Sequence, residues 1–450
     1  MRKLITFTIL AYLSLYLYFP NSGWGIAHGI KVFNLYDRGS GVFPLPIMNI
    51  MLYLLYIATA FLGYEQKNIY QFFSLRYYFW AFNALFFIFS LYGISTGIPL
   101  KDIFSSTGLI NVLNLYLFII LLLKVISTPE KLNQLTNIIL FVTVTRGLWG
   151  LLRWAFMGGD PANVYANVQK IAVRVTFFDI NDNLIATMGV FLAAWFLVYK
   201  KNQPLWRKLF YIMTIVIGLA IVLLSYRRTA WIGLVLAGFW FVWQQPWRRR
   251  IQVGFITGLI GMLTLPVLIG DRFAQIRGTN KSGLLYDITT SKGGIDATGG
   301  RFSELNYAWR FISESPLTGV MPWGGIGAGK SHDFVHSGLI HLWLKGGFFA
   351  FILFTLILWS YFIFTKKVRK ELSTAERGLA EAAFAGLLFS LPNILFGTPF
   401  IETRTSILLG FIFALPYIVY GLNKHQDQPK LVSSYALKTL PKSSLNLKLQ

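Results

Sequence analysis

The sequence contains no cysteine, which excludes disulfide bridges, thiol nucleophiles and thiolate metal sites. Charged residues are also scarce, at 13% of the 450 residues, against about 25% in soluble proteins. Hydrophobic residues, in contrast, reach 55%. This balance is typical of a polytopic membrane protein, and no nucleic-acid-binding module interrupts the apolar runs.

The apolar runs predict about 12 transmembrane helices, since about 20 apolar residues cross a bilayer as a helix. The expected fold is therefore an all-α polytopic membrane protein. The predicted spans are 4–20, 43–63, 77–97, 108–127, 135–157, 182–199, 209–225, 229–244, 251–269, 335–364, 378–397 and 403–420. Residues 1–423 are expected to form one transmembrane domain with a large extracytoplasmic loop at 270–334, before the last three spans. Residues 424–450 are expected to form a loosely ordered cytoplasmic tail.

The net charge of +23 at pH 7 has two interpretations. Basic loops on the cytoplasmic side would follow the positive-inside rule, whereas basic residues on the outer side would suit an anionic substrate. Lysines and arginines cluster in alternate loops, such as 248–250 and 366–370. The sequence therefore predicts a multi-pass membrane protein with both termini in the cytoplasm, and some cations remain on the outer side.

Arg227 and Arg228 lie between two spans on that outer side. They would either reach lipid headgroups or clamp an anion, because guanidinium offers paired donors that match phosphate oxygens. Arg301 follows Gly299 and Gly300, which would let the backbone approach a ligand closely.

Two more arginines lie within the fifth span. Arg146 and Arg153 are seven residues apart and therefore share one helix face. A charge as deep as Arg146 should face a cavity or a partner. Either an ion pair with an acid such as Asp179 or Asp182, or contact with substrate, would satisfy it.

Polar residues also open the sixth span. Asp182 and Asn183 are expected to cap the helix. Asn181 and Asn183 are alternatively candidates for hydrogen bonds to a sugar.

Three of the five histidines, His332, His336 and His341, lie in the polar, Gly-rich stretch Thr298–Gly347. His336 opens the tenth span and is the candidate general base, since imidazole accepts protons near neutral pH. The alternative is a histidine that anchors or caps the helix. His332 and His336 have the spacing of two metal ligands, but no third ligand is evident, so no metal is predicted. His341 is expected to pack inside the bundle.

Five motifs occur in a characteristic order and resemble the O-antigen ligase and polymerase superfamily over about residues 180–365. They are N-x-x-A at Asn183–Ala186, R-x-A-W at Arg228–Trp231, G-G-R-F at Gly299–Phe302, P-L-x-G at Pro316–Gly319 and H-S-x-L-I at His336–Ile340. The layout of about twelve spans with one large outer loop is similar too. Two departures are Ser337, where the family often has Asn, and Lys345, where it often has an acid. Both departures bear on which acceptor substrate the protein would use rather than on the donor substrate.

The resemblance implies a GT-C-like fold and a metal-independent glycosyltransferase without a cofactor, active on the outer face of the plasma (inner) membrane. The donor would be a glycan on a polyprenyl diphosphate such as undecaprenyl diphosphate. The acceptor would be a hydroxyl on lipopolysaccharide core, for a ligase, or on another glycan, for a polymerase. Arg228 and Arg301 would bind the diphosphate, and His336 would act on the acceptor. Arg227, a cation additional to the family pattern, and Arg153 are further candidates for binding the diphosphate. A transporter, as proposed for superfamily members that handle inorganic carbon, and a non-catalytic assembly protein are the alternatives.

Overall fold

The computed structural model describes residues 2–18, 47–62, 69–156, 180–200, 202–225, 227–248, 250–252, 254, 258, 301–320, 323 and 335–439. Its helices are α1 (Arg2–Tyr18), α2 (Ile47–Phe61), α3 (Arg76–Ser95), α4 (Leu100–Ile103), α5 (Ile110–Val125), α6 (Pro129–Phe156), α7 (Ile180–Tyr199), α8 (Leu205–Leu224), α9 (Arg228–Trp243), α10 (Arg301–Glu314), α11 (Gly338–Glu371), α12 (Gly378–Phe396) and α13 (Thr403–Thr439). No strand occurs in these ranges, and the predicted polytopic all-α class is confirmed for them.

Every predicted span except the ninth coincides with one of these helices. The ninth, 251–269, falls almost entirely outside the described residues. Within the described ranges, 7 helices are long and apolar enough to cross a membrane: α3, α6, α7, α8, α11, α12 and α13. The apolar helices α1, α2, α5 and α9 are shorter. The count of twelve spans and the GT-C-like arrangement therefore stay predictions.

The centre of the bundle is formed by helices that are apolar on every side. The apolar part of α13, Thr403–Lys424, is completely buried, and α7 and α12 are mostly buried. In α3 and α8 only 33% of the apolar stretch is buried, and Phe87 and Val216 point outwards. Such exposed apolar side chains are expected where a helix contacts lipid tails instead of protein.

One end of the bundle collects cations, and we call it the basic end. It contains Lys3, Lys124, Lys131, Lys200, Arg369, Arg377 and Lys424. There the Glu381 carboxylate accepts a hydrogen bond from Arg369 Nε at 2.9 Å and lies 3.5 Å from Arg377 Nε. The Arg369 guanidinium also lies 4.2 Å from the ring centre of Trp240, which joins the ends of α9 and α11 to the start of α12. The positive-inside rule predicts that this end faces the cytoplasm.

Helices α7, α9, α11 and α13 begin at the opposite end. A Cβ on Gly233 of α9 would lie 2.3 Å from the Phe389 carbonyl, so α9 begins beside the last turn of α12. A Cβ on Gly338 of α11 would lie 2.7 Å from Pro399 and 2.9 Å from the Ile394 carbonyl. The starts of α9 and α11 therefore flank the same end of α12.

One helix, α10, forms inside the predicted loop at 270–334. Ala308 and Ile312 lie one turn apart on α10 and pack against Val335 and Leu344. This narrow apolar face is sufficient to hold the helix against α11. The Gly-rich sequence on both sides concealed it from pattern analysis.

Helix α11 is broken at Gly347, whose φ of 70° and ψ of −173° are not helical. The P-L-T-G motif, Pro316–Gly319, docks into the break. A Cβ on Gly347 would lie 1.9 Å from the Leu317 carbonyl oxygen, and Val320 N donates to the Leu344 carbonyl at 2.7 Å. The motif therefore fixes the segment that leads from α10 against the helix that carries His336 at its start.

Candidate functional site

His336 lies just before α11 and is partly exposed. The next residue, Ser337, is the N-cap: its hydroxyl accepts a hydrogen bond from Ile340 N at 3.4 Å. The alternative in which His336 caps this helix is therefore wrong. Ser and Asn are both favoured N-cap residues, so Ser337 retains the capping function that the more usual Asn would perform.

Two residues on the buried face of α11, His341 and Lys345, follow His336 in the sequence. His341 is 1% exposed, which confirms that it packs inside the bundle. Lys345 is 0% exposed, and its ammonium donates to the Trp323 carbonyl at 3.0 Å. The lysine thus ties the segment after the P-L-T-G motif to α11. His332 lies outside the described residues, so its spacing from His336 is not tested.

Arg227 and Arg228 form the start of α9. Arg227 is partly buried at the N-cap position, and its carbonyl accepts from Trp231 N at 3.1 Å. Arg228 is the first helical residue, and its side chain lies outside the described part of the structure. Both arginines are therefore at a helix N-terminus, where unpaired backbone amides and the helix dipole favour an anion.

Arg301 and Arg153 also lie at helix ends. Arg301 is the first residue of α10, and Arg153 is in the last turn of α6. The structure describes the backbone of both residues and not their side chains. Their predicted contacts with a diphosphate are therefore proposals.

Asp182 binds two buried arginines. One carboxylate oxygen lies 3.4 Å from Arg146 and the other 2.8 Å from Arg404. The predicted ion pair between Arg146 and Asp182 is confirmed. The predicted capping role of Asp182 and Asn183 is wrong, because α7 begins at Ile180 and both residues lie inside its first turn. Each oxygen of the Asp182 carboxylate instead lies within 3.4 Å of a buried arginine.

Arg404 was not identified from the sequence, although it is central to this end of the bundle. Its side chain is completely buried, and Nε donates to the Tyr16 carbonyl at 2.7 Å. It also donates to the Leu17 carbonyl at 3.3 Å. Arg404 thus satisfies the last carbonyls of α1 while it binds Asp182 at the start of α7. The signal that could have identified it is a cation inside a predicted span, as for Arg146.

Asn181 and Asn183 are 1% and 0% exposed, respectively. Asn181 Nδ2 donates to the Glu402 carboxylate at 3.3 Å, and the Thr405 hydroxyl donates to the same oxygen at 2.8 Å. These bonds join the starts of α7 and α13. A contact between either asparagine and a glycan stays a prediction.

The turn between α12 and α13 is held by Asn111, at the start of α5. Its amide nitrogen donates to the Phe400 carbonyl at 2.8 Å, and its amide oxygen accepts from the Thr403 hydroxyl at 3.0 Å. Gly338 packs on Pro399 of this same turn. Asn111 therefore fixes the surface on which α11 begins.

The arrangement brings a histidine and several helix N-termini to one end of an apolar bundle. Helix N-termini and arginines stabilise negative charge, and a partly exposed imidazole can accept a proton. Within the described ranges no group of three or more His, Asp or Glu side chains is placed to hold a metal ion. The chemistry that suits these groups is proton transfer combined with stabilisation of an anionic leaving group.

Comparison with known proteins agrees with this chemistry. Residues 213–355 match the family model described as O-antigen ligase. The matched range contains Arg227, Arg228, Arg301 and His336, and lies within the region that the motifs indicated. No curated protein matches the chain. Residues 213–355 therefore match the O-antigen ligase family, which confirms over that region the resemblance that the motifs indicated.

Proposed function

We propose that the protein is a glycosyltransferase that moves a glycan from a polyprenyl diphosphate to an acceptor hydroxyl. The observation that carries the proposal is the placement of the starts of α9 and α11 at the same end of α12. This placement sets the R-x-A-W and H-S-x-L-I motifs at one end of the bundle, within the O-antigen ligase match.

In the proposed donor site, Arg228 and Arg301 hold the diphosphate, and Arg227 and Arg153 add positive charge. Arg228 and Arg301 are each the first residue of a helix, and the backbone amides of a helix N-terminus favour an anion. Fixed cations would neutralise the leaving diphosphate as a metal ion does in other transferases. The proposed enzyme accordingly needs neither metal nor cofactor.

His336 is the proposed general base. It removes the proton from the acceptor hydroxyl as the oxygen attacks the anomeric carbon. The bond from that carbon to the diphosphate oxygen breaks as the new glycosidic bond forms, and the diphosphate leaves with its electron pair. The polyprenyl chain would lie along the exposed apolar helices, with its headgroup at the end where α11 begins. Asn181 and Asn183 are proposed to contact the glycan, which would require the packing around Glu402 to open.

The proposed location is the plasma (inner) membrane, with the site on the outer face. The basic end contains both Lys3, in the first turn of α1, and Lys424, at the end of the apolar part of α13. The positive-inside rule would set that end in the cytoplasm and the end with His336 outside.

A transporter is the second candidate, because α11 is a broken helix and transporters bind substrates at such breaks. At Gly347, however, the Leu344 carbonyl is already bonded to Val320 N. The break therefore holds a segment of the chain itself, which favours a structural role for it.

The decisive experiment offers purified protein in lipid a polyprenyl-diphosphate glycan with either lipopolysaccharide core or a second glycan chain as acceptor. Transfer to core identifies a ligase, and chain extension identifies a polymerase. Both assays are run in excess chelator. Transfer to neither acceptor, with movement of a solute across sealed vesicles, would establish the transporter instead.

A further inference from the structure

The basic end contains a large groove that the proposed transfer reaction does not use. It has a volume of about 910 Å³ and lies between the first turns of α1, the end of α5 and the start of α6. Its walls combine cations, neutral polar groups and an apolar strip. The lining residues are Lys3, Thr6, Phe7, Leu10, Lys124, Ser127, Thr128, Glu130, Lys131 and Gln134.

Lys124 is the lining residue whose charge most requires an anionic partner. The residue is only 7% exposed, and its ammonium lies 4.9 Å from the ring centre of Tyr56. Within the described ranges it forms no ion pair or hydrogen bond. The Tyr56 ring compensates only part of the cost of burying an ammonium. An anion in the groove would supply the missing charge.

The groups that neighbour Lys124 in the groove also favour an anionic ligand. Lys131 Nζ donates to the Val125 carbonyl at 2.9 Å and lies 3.4 Å from the Ser127 hydroxyl, which leaves one ammonium proton for a ligand. The Thr128 hydroxyl accepts from Lys131 N at 3.4 Å and so marks the N-terminus of α6. Glu130 is the one acid among the lining residues, against three lysines.

The α1 wall of the groove carries an apolar strip that faces outwards. Phe7 is 69% exposed, and Leu4, on the same helix, is 66% exposed. In a membrane-spanning bundle such side chains contact acyl chains. An anionic headgroup in the groove would therefore be followed directly by a surface suited to its hydrocarbon tail.

We propose that this groove binds an anionic glycerophospholipid, with the phosphate between Lys124, Lys131 and Lys3 and an acyl chain along α1. The bound lipid would neutralise Lys124 and hold the start of α1 against α5 and α6. The far end of α1 supplies the carbonyls that bind Arg404. Lipid binding would thus support the end of the bundle where α11 begins, and the site is independent of the proposed transferase activity.

The test titrates the full-length protein in detergent with phosphatidylglycerol, phosphatidylcholine or sodium phosphate. Bound lipid is counted by native mass spectrometry, and thermal unfolding is followed in parallel. We expect phosphatidylglycerol to bind and to raise the melting temperature more than the other two. Lys124→Met should weaken phosphatidylglycerol binding about fivefold, since a basic residue that contacts an anionic headgroup contributes on that scale to binding. Lys370→Met removes one charge from an exposed position at the same end and should leave binding unchanged.

Three results would overturn the proposal. Equal binding of phosphatidylcholine would show that the headgroup charge is not recognised, and equal binding of sodium phosphate would show that the ligand is a free anion. Unchanged phosphatidylglycerol binding by Lys124→Met would remove the central contact. If Lys124→Met does not fold, Lys131→Gln decides: weaker phosphatidylglycerol binding supports the site, and unchanged binding refutes it.

Discussion

The guanidinium of Arg404 lies 2.8 Å from the carboxylate of Asp182, and both side chains are almost completely buried. Arg146 approaches the other carboxylate oxygen at 3.4 Å. One acid therefore joins α6, α7 and α13, and Arg404 connects α1 to them through the Tyr16 carbonyl. The end of the bundle with the candidate site is built on this ionic junction.

Arg404→Met should lower the free energy of unfolding by about 3–5 kcal/mol, because it leaves a buried carboxylate with less compensation. Thermal unfolding in detergent measures the effect. Arg310→Met is the control: Arg310 pairs with Glu314 at 3.7 Å, but the two side chains are 80% and 62% exposed. That change should cost about 1 kcal/mol or less. Equal stability of the two variants would show that the Arg404 junction is not structural.

Gly347→Ala should destabilise the contact between α11 and the P-L-T-G motif. An added Cβ would lie 1.9 Å from the Leu317 carbonyl oxygen, and the φ of 70° disfavours any side chain. Backbone strain of this kind costs about 1–3 kcal/mol, before any cost of moving the motif. Gly238→Ala is the matched control, since nothing lies within 4 Å of its Cβ. It should stabilise α9 by up to about 1 kcal/mol. If both variants unfold at the wild-type temperature, the motif does not depend on the break.

The spans could be predicted from the sequence because each is a long apolar run, as α7 and α12 illustrate. Helix α10 could not, since its apolar face consists of a few residues such as Ala308 and Ile312 within a polar, Gly-rich segment. The sequence indicates Asp179 and Asp182 as candidate partners for Arg146, because a deep cation requires an acid, and the structure pairs Arg146 with Asp182. Its second partner, Arg404, is 222 residues away along the chain, and only the packing of α13 beside α7 brings the two together.

The membrane orientation can be tested with reporter fusions. A reporter after Asn280 should read as external, and reporters after Lys370 or Lys430 should read as cytoplasmic, because the basic end is expected to stay inside. Lys370 and Arg369 lie in the last turn of α11, at the basic end. A cytoplasmic signal after Asn280, with an external signal after Lys370, would invert the bundle and set the candidate site inside the cell.

The arginines of the donor site should not tolerate lysine. Arg228→Lys and Arg301→Lys should lose nearly as much glycan transfer as the alanine variants, because lysine retains the charge but lacks the paired donors. Transfer and donor binding are measured together in membranes with equal protein levels. Arg310→Lys changes an exposed arginine of the same helix as Arg301 and should leave transfer unchanged. Near-normal transfer by both lysine variants would show that positive charge alone is sufficient.

His336→Ala should retain donor binding and lose most of the glycan transfer. The variant should fold and bind the polyprenyl-diphosphate glycan, because Ser337 rather than His336 caps α11. Transfer should nevertheless fall by about 10²–10⁴-fold, the usual contribution of a general base.

Two controls make the His336 result specific to proton removal. Ser337→Asn retains an N-cap side chain beside the histidine, so it should retain most of the transfer activity. His332→Ala should lose much less activity than His336→Ala, because His332 has no proposed role in proton transfer. His341→Ala removes a side chain that is 1% exposed, so its effect should appear as lower stability, with transfer per folded molecule largely retained. Normal transfer by His336→Ala, with a large loss in His332→Ala, would assign the base to His332. Normal transfer by all three alanine variants would show that the base is not a histidine and would favour a non-enzymatic role for this end of the bundle.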